Sequence, residues 1–276
     1  MTNLTNRRTF LNAAAALAAA RGLPARAGRA SAGELKLGVA SYSLRKFPRA
    51  KAIEMLKQLR VRYVSIKSFH LPYDASPAEI KAGADEFRAA GLTVLSGGNI
   101  SLREPSKLRA MFEYAKNAGL PMMVCAPKQE TMDAVEKLVQ EYNIKIAIHN
   151  HGPEDKYFPS PEVALKAVKN RDRRMGLCID VGHATRTGAD VVEWMRLAGP
   201  RLFSVHMKDL ADLMDKGSQV PVGRGAMPVV AMFRELIAMN YQGGVMLEYE
   251  VNSTNPLPGM IESMAYQRGV LDGLAG

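Results

Sequence analysis

Eight short apolar runs, separated by stretches with apolar residues at helical spacing, most narrowly limit what this chain can fold into. The runs are Leu35–Ala40, Tyr63–Ile66, Thr93–Ser96, Met122–Cys125, Lys145–Ile148, Gly176–Ile179, Leu202–Val205 and Gly244–Leu247. Each is bounded by charge, Gly or Pro, as a strand buried on both faces should be. Between them, Leu108, Met111, Phe112 and Ala115 mark one helical face. Met132, Val135, Leu138 and Val139 mark another, and Phe233, Leu236 and Ile237 a third. Ser76-Pro77-Ala78-Glu79 and Ser160-Pro161-Glu162 read as N-caps with Pro at the first helical position. Gly91 and Gly119 stand where helices should end. Strand–helix alternation demands parallel pairing, because parallel neighbours need a crossover connection. Eight units over residues 33–276 predict a single-domain (β/α)8 barrel, for which ~250 residues is typical. The rival doubly wound sheet lacks its Gly-x-Gly-x-x-Gly after an early strand.

Residues 1–32 stand apart from this period. Asn6-Arg7-Arg8-Thr9-Phe10-Leu11 precedes an alanine-rich run ending at Ala20, and small residues follow at Ala25-Arg26-Ala27 and Ala30-Ser31-Ala32. A paired-arginine start, a short apolar segment and small-residue cleavage sites predict an export signal of the twin-arginine type, and hence a periplasmic location. The apolar stretch is too short for a bilayer span, which takes roughly 20 residues, so no stable membrane anchor is expected. The segment also distorts the charge balance. The whole chain carries Lys+Arg 37 against Asp+Glu 27, a net +10, but five arginines and no acid lie in residues 1–32. Without them 32 basic residues face 27 acidic ones, a net +5 with no basic stripe. That argues against a nucleic-acid partner. Two cysteines cannot staple a chain of this length, so packing must stabilise it; Cys125 and Cys178 fall in strands, as buried thiols do.

The histidines give the site. His70, His149, His151, His183 and His206 all lie at or just past the C-terminal end of an expected strand, the face on which barrels build active sites. Asp180 ends strand six, while Glu248 and Glu250 follow strand eight on the same side. Imidazole and carboxylate donors suit one divalent ion, Mn2+, Zn2+, Co2+, Fe2+ or Mg2+. Around them, Lys67 projects from the end of strand two, as a proton donor, an electrostatic partner for an enediolate, or a structural ion pair. Arg224, in Pro221-Val222-Gly223-Arg224-Gly225, is expected to reach the substrate. Tyr42 and Asn99 near strand ends are candidates for sugar hydroxyls, and Trp194 reads as helix core.

His149-Asn150-His151-Gly152, Cys178-Ile179-Asp180-Val181-Gly182-His183, Ser204-Val205-His206-Met207-Lys208-Asp209 and Val245-Met246-Leu247-Glu248 resemble the xylose-isomerase-like TIM barrels that include sugar phosphate isomerases and epimerases. The resemblance runs from about residue 35 to the C-terminus. It implies metal ligands at Asp180, His206 and Glu248, with His183 and Lys208 beside them; Lys208 would pair with Asp180 or Asp209. At strand five many members read Glu-Asn-His and this chain reads His149-Asn150-His151, so the fourth ligand falls to His149 or to Glu154 in the next loop. The resemblance also implies an isomerase or epimerase acting on a sugar or sugar derivative.

The chemistry follows from the site. A divalent ion chelated by a carbonyl and its neighbouring hydroxyl acidifies the adjacent C–H, and a base then takes the proton. Glu248 and, opposite it, His149 are the candidate bases. Proton return to the other face gives an epimer, and return to the next carbon an isomer. Loss of a β leaving group gives a lyase or dehydratase, which an exported location favours for keto-sugars and glycosides. Substrate contacts fall to His151, His183, Arg224, Lys208, His70 and Glu250. A sugar-binding protein without catalysis is the rival from another class, and an abasic-site endonuclease would need more zinc ligands than five histidines supply. Homo-oligomerisation stays open.

Overall fold

The computed structural model describes residues 35–276; the export signal read over 1–32 lies outside the described residues. Eight parallel strands close into a barrel: β1 Lys36–Ala40, β2 Tyr63–Ile66, β3 Thr93–Leu102, β4 Met122–Pro127, β5 Lys145–His149, β6 Met175–Asp180, β7 Leu202–Met207 and β8 Gly244–Leu247. Going round the ring the order is β1, β8, β7, β6, β5, β4, β3, β2, so every pairing joins neighbours in the sequence or closes β8 onto β1. Each strand returns through a helix of the outer layer, from α1 (Arg49–Gln58) to α9 (Leu257–Ala275). A short antiparallel hairpin, Asp209–Leu210 with Gln219–Val220, rises between β7 and β8. No helix among the described residues is long and apolar enough to cross a membrane.

Alternation along the strands divides the apolar side chains into two compartments. The larger lies between sheet and helices and contains Phe87, Phe112 and Phe233, all fully buried. Met122, Val124, Ala147 and Cys178 form a separate plug inside the barrel, against Phe203. Cys125 belongs to the outer compartment and Cys178 to the inner one, and both thiols are free. Local signals act as the sequence predicts. Ser76 Oγ accepts from the Glu79 amide while the Glu79 carboxylate accepts from the Ser76 amide, and Ser160 caps Pro161–Val168. Gly91 and Gly119 end their helices at φ +83° and +60°.

Two expectations change. β3 runs ten residues instead of four, because the Gly97-Gly98 pair interrupts the apolar run without ending the strand; its register on β4 shifts between Gly97 and Ile100. Trp194 is half-buried instead of core, since the two-turn helix Val191–Ala198 turns it toward an outer cleft shared with Leu165 and Leu197.

Candidate metal centre and active site

The C-terminal tips of β5 to β8 carry the site. Parallel register sets Asp180 of β6 beside His206 of β7, and Met246 of β8 beside the same His206. His149 is the last residue of β5, and Glu248 follows directly on β8. Ring closure therefore gathers residues 99 positions apart: donor atoms of His149, Asp180, His206 and Glu248 all lie within 4.8 Å of one another. His149 Nε2 stands 3.0 Å from His206 Nδ1 and 3.5 Å from Asp180 Oδ2. His206 Nδ1 stands 3.4 Å from Glu248 Oε2. The four are buried, Asp180 completely.

These residues fit a divalent ion. Of the atoms that face one another in the cluster, Asp180 Oδ2 is buried without a hydrogen-bond partner, a costly state for a polar atom. Ligands bound at ~2.0–2.1 Å stand about 3.0–3.4 Å apart, which is the spacing of the two imidazole nitrogens. The electrostatics favour ligation at three of the four residues. At His206 burial is outweighed by Cys178 and Glu248, which hold the imidazole well above its usual value, so an ion taking this nitrogen displaces a proton. Burial alone would push the Asp180 and Glu248 carboxyls up, but Lys208, with His183 beside the first and His206 beside the second, outweighs it and holds both well below the carboxylate range. Burial drives His149 well below the usual imidazole value, against the pull of Asp180, so the ring is neutral and free to ligate. Asn150 holds the strands in place: its Nδ2 donates to the Asp180 carbonyl and its Oδ1 accepts from the Asp180 amide. Glu154, the other candidate for the strand-five duty, is tied bidentately to Arg186 at the rim, outside the four-residue cluster.

Above the cluster opens a polar cavity of about 460 Å3, lined among others by Tyr42, Lys67, Asn99, His149, His151, His183, Lys208, Glu248 and Glu250. The Lys67 ammonium sits 5.0 Å from the Tyr42 ring centre. Burial lowers its pKa, against Glu248 and Glu250. His151 is held at about 4 by burial, with His183 adding and Asp155 opposing, and Asn99 Nδ2 meets its Nε2 at 2.7 Å. Arg186 Nη2 stands 3.1 Å from His183 Nδ1. Arginine only donates, so that nitrogen accepts and the proton sits on His183 Nε2.

Other expectations need correction. His70 is only 1% exposed and does not reach the cavity. The turn at Lys67–His70 tucks its ring under Ser41–Leu44, where Ser41 Oγ (2.9 Å) and the Leu44 and Phe47 carbonyls (both 3.2 Å) use both nitrogens. Arg224 points away from the cavity and pairs with Glu262 on α9. Asp209 is the reason: its carboxylate accepts from the amides of Gly223, Gly225 and Met227, clamping the loop with Arg224 outward. Lys208 accordingly pairs with Asp180 and not with Asp209. Replacing Asp209 by Ala strands three amides and should cost about 3 kcal/mol, read as a lower thermal midpoint; an unchanged melt would show that the clamp is idle. Arg103, Asp155 and Lys216 also line the cavity, and loop residues of this kind left no periodic signal in the sequence.

Residues 50–270 match the model of the family described as xylose isomerase-like TIM barrel. The chain belongs to that family. Among solved structures it is similar to an uncharacterised protein from Parabacteroides distasonis ATCC 8503, 25% identical over 86% of this chain and 99% of that one, TM-score 0.67. A D-tagatose 3-epimerase-like protein is 20% identical over 87% and 98%, TM-score 0.70. The structure described as the probable 3-DHS dehydratase of petrobactin synthesis from Bacillus anthracis is 11% identical over 85% and 99%, TM-score 0.69. Likenesses at 20% and 11% speak for the fold. No curated protein matches the chain.

Proposed function

We infer that this chain is an exported, divalent-metal-dependent isomerase or epimerase of a sugar or sugar derivative. The observation that carries the reading is the convergence of His149, Asp180, His206 and Glu248 within 4.8 Å at the base of a polar cavity. A divalent ion held by these four would polarise a substrate carbonyl and its neighbouring hydroxyl. Glu248, held ionised by the cationic charge beside it, takes the proton from the carbon beside the carbonyl. Lys67, its ammonium at the cavity wall, faces the negative charge that builds on the enediolate. His183 offers an Nε2 proton to a sugar oxygen, and His151 with Asn99 forms the opposite wall. The D-tagatose 3-epimerase-like relative supports the substrate class.

A second reading, β-elimination from a keto-sugar or glycoside, is favoured by one feature: strand five supplies the imidazole of His149 where a second carboxylate would serve a two-base epimerase. The two readings separate in D2O with a set of ketoses and keto-glycosides. Deuterium entering the substrate C–H with no leaving group released supports the first, and release of the leaving group supports the second. Chelation should abolish turnover and Mn2+ or Co2+ restore it; sugar binding that survives chelation unchanged, with no turnover under any ion, would make the chain a binding protein.

A further inference from the structure

Lys208 is placed oddly for a cation beside a metal centre. Its ammonium, on a residue 4% exposed, lies 3.1 Å from Asp180 Oδ2 and 3.0 Å from Glu248 Oε2. Those are the oxygens that also face His149 Nε2 and His206 Nδ1. A divalent ion held by the four residues and the Lys208 ammonium therefore contend for the same two oxygens. The contact with Asp180 Oδ2 has ion-pair distance without hydrogen-bond alignment, so this oxygen is not committed to the lysine.

Lys208 already has its shortest contact elsewhere. A third carboxylate, Glu250, stands farther out and holds the ammonium at 2.6 Å. Beside the pair opens a separate cavity of about 80 Å3, lined by Lys208, Glu250, Gly182, Gln219, Lys216 and Arg186 among others. Gly182 leaves room for the lysine stem: a Cβ there would sit 3.3 Å from Lys208 Cδ and 3.4 Å from its Cβ.

We propose that Lys208 is a resident counter-cation, which neutralises Asp180 and Glu248 in the ion-free protein and, when a divalent ion enters, shifts along Gly182 to give up both and keep Glu250 alone. The device solves a folding problem. Two carboxylates buried together repel each other unless enough positive charge lies beside them. Lys208 lets the chain fold with the cluster formed, and the withdrawn ammonium then borders the substrate cavity, which it already lines. The inference rests on the metal-dependent reading above.

Mn2+ binding to the chelated protein tests it, by calorimetry or by the paramagnetic resonance of free Mn2+. Lys208→Met removes the competitor and should bind Mn2+ about tenfold more tightly, by the sign of the Coulomb term. The same variant should melt lower than the parent without the ion and approach it with the ion bound. Gly182→Ala narrows the withdrawal path, alters no ligand, and should weaken Mn2+ binding several-fold. In the double variant that penalty should vanish, since the lysine that needs the room is gone. Two results overturn the inference while leaving the metal centre standing. One is Lys208→Met binding Mn2+ equally or more weakly; the other is a Gly182→Ala penalty that persists in the double variant. Absence of binding by the parent of Mn2+, Co2+ and Zn2+ alike overturns the metal-dependent reading with it. Should Lys208→Met fail to fold, Gly182→Ala and Glu250→Gln carry the test, each expected to weaken binding.

Discussion

Replacing His206 by Ala should empty the metal centre and abolish turnover while leaving the barrel standing. His206 touches two of the other three donors, 3.0 Å from His149 and 3.4 Å from Glu248. Its loss removes a nitrogen donor and releases the ring that spaces the other two. The fall in ion affinity should exceed the ~100-fold seen when only a partner of a ligand is lost. Turnover should fall with it, because carbonyl polarisation and the placement of Glu248 both depend on the cluster. The fold has little reason to fail. His206 lies at the open end of β7, above the plug of Met122, Val124, Ala147 and Cys178, and Lys208 still neutralises Glu248. The cost should stay near ~1–3 kcal/mol, within the margin of a domain this size. Metal content by mass spectrometry, circular dichroism and a turnover assay read the three parts separately. A folded variant that keeps its ion would remove His206 from the ligand set.

The barrel was legible because its signal is distributed. Eight apolar runs bounded by Gly, Pro or charge mark the strands, and each of the eight appears where the pattern puts it. The site was legible in part for the same reason: a residue at a strand end has one face to occupy once the ring closes, so Asp180, His206 and Glu248 meet although they are far apart in the chain. Loops escape this logic. Arg224 follows strand seven and reads as a substrate arm, yet its direction depends on three amides turning to Asp209, which no spacing encodes. His70 misleads in a related way. It stands at a strand end, but a single turn carries its ring under Ser41 instead of into the cavity. Lys208 was visible as a neighbour of Asp180, but its contact with three carboxylates at once depends on two other strand ends and on Gly182.

Glu248→Gln should separate proton transfer from ion binding. The amide is nearly isosteric and keeps one oxygen, so part of the ion affinity should survive. It cannot accept the substrate proton, and loss of a general base costs ~10^2–10^4 in rate. The expected result is ion content reduced but measurable, with deuterium exchange at the substrate C–H lost in step with turnover. The pH profile sharpens the assignment. Burial raises the Glu248 pKa but Lys208 and His206 more than reverse it, and a divalent ion that displaced Lys208 would act in the same direction, so the proposed base should be ionised across the neutral range with its acid limb below the ordinary glutamate value. On the alkaline side Lys67 must keep its proton to face the enediolate. Burial lowers its pKa from 10.5, so the rate should fall at a pH below that of a free lysine. Lys67→Met should be slow at every pH and lose this alkaline limb. If Glu248→Gln exchanges the substrate proton at the parent's rate, the base is another residue, and His149, across the cluster, is the one to replace next.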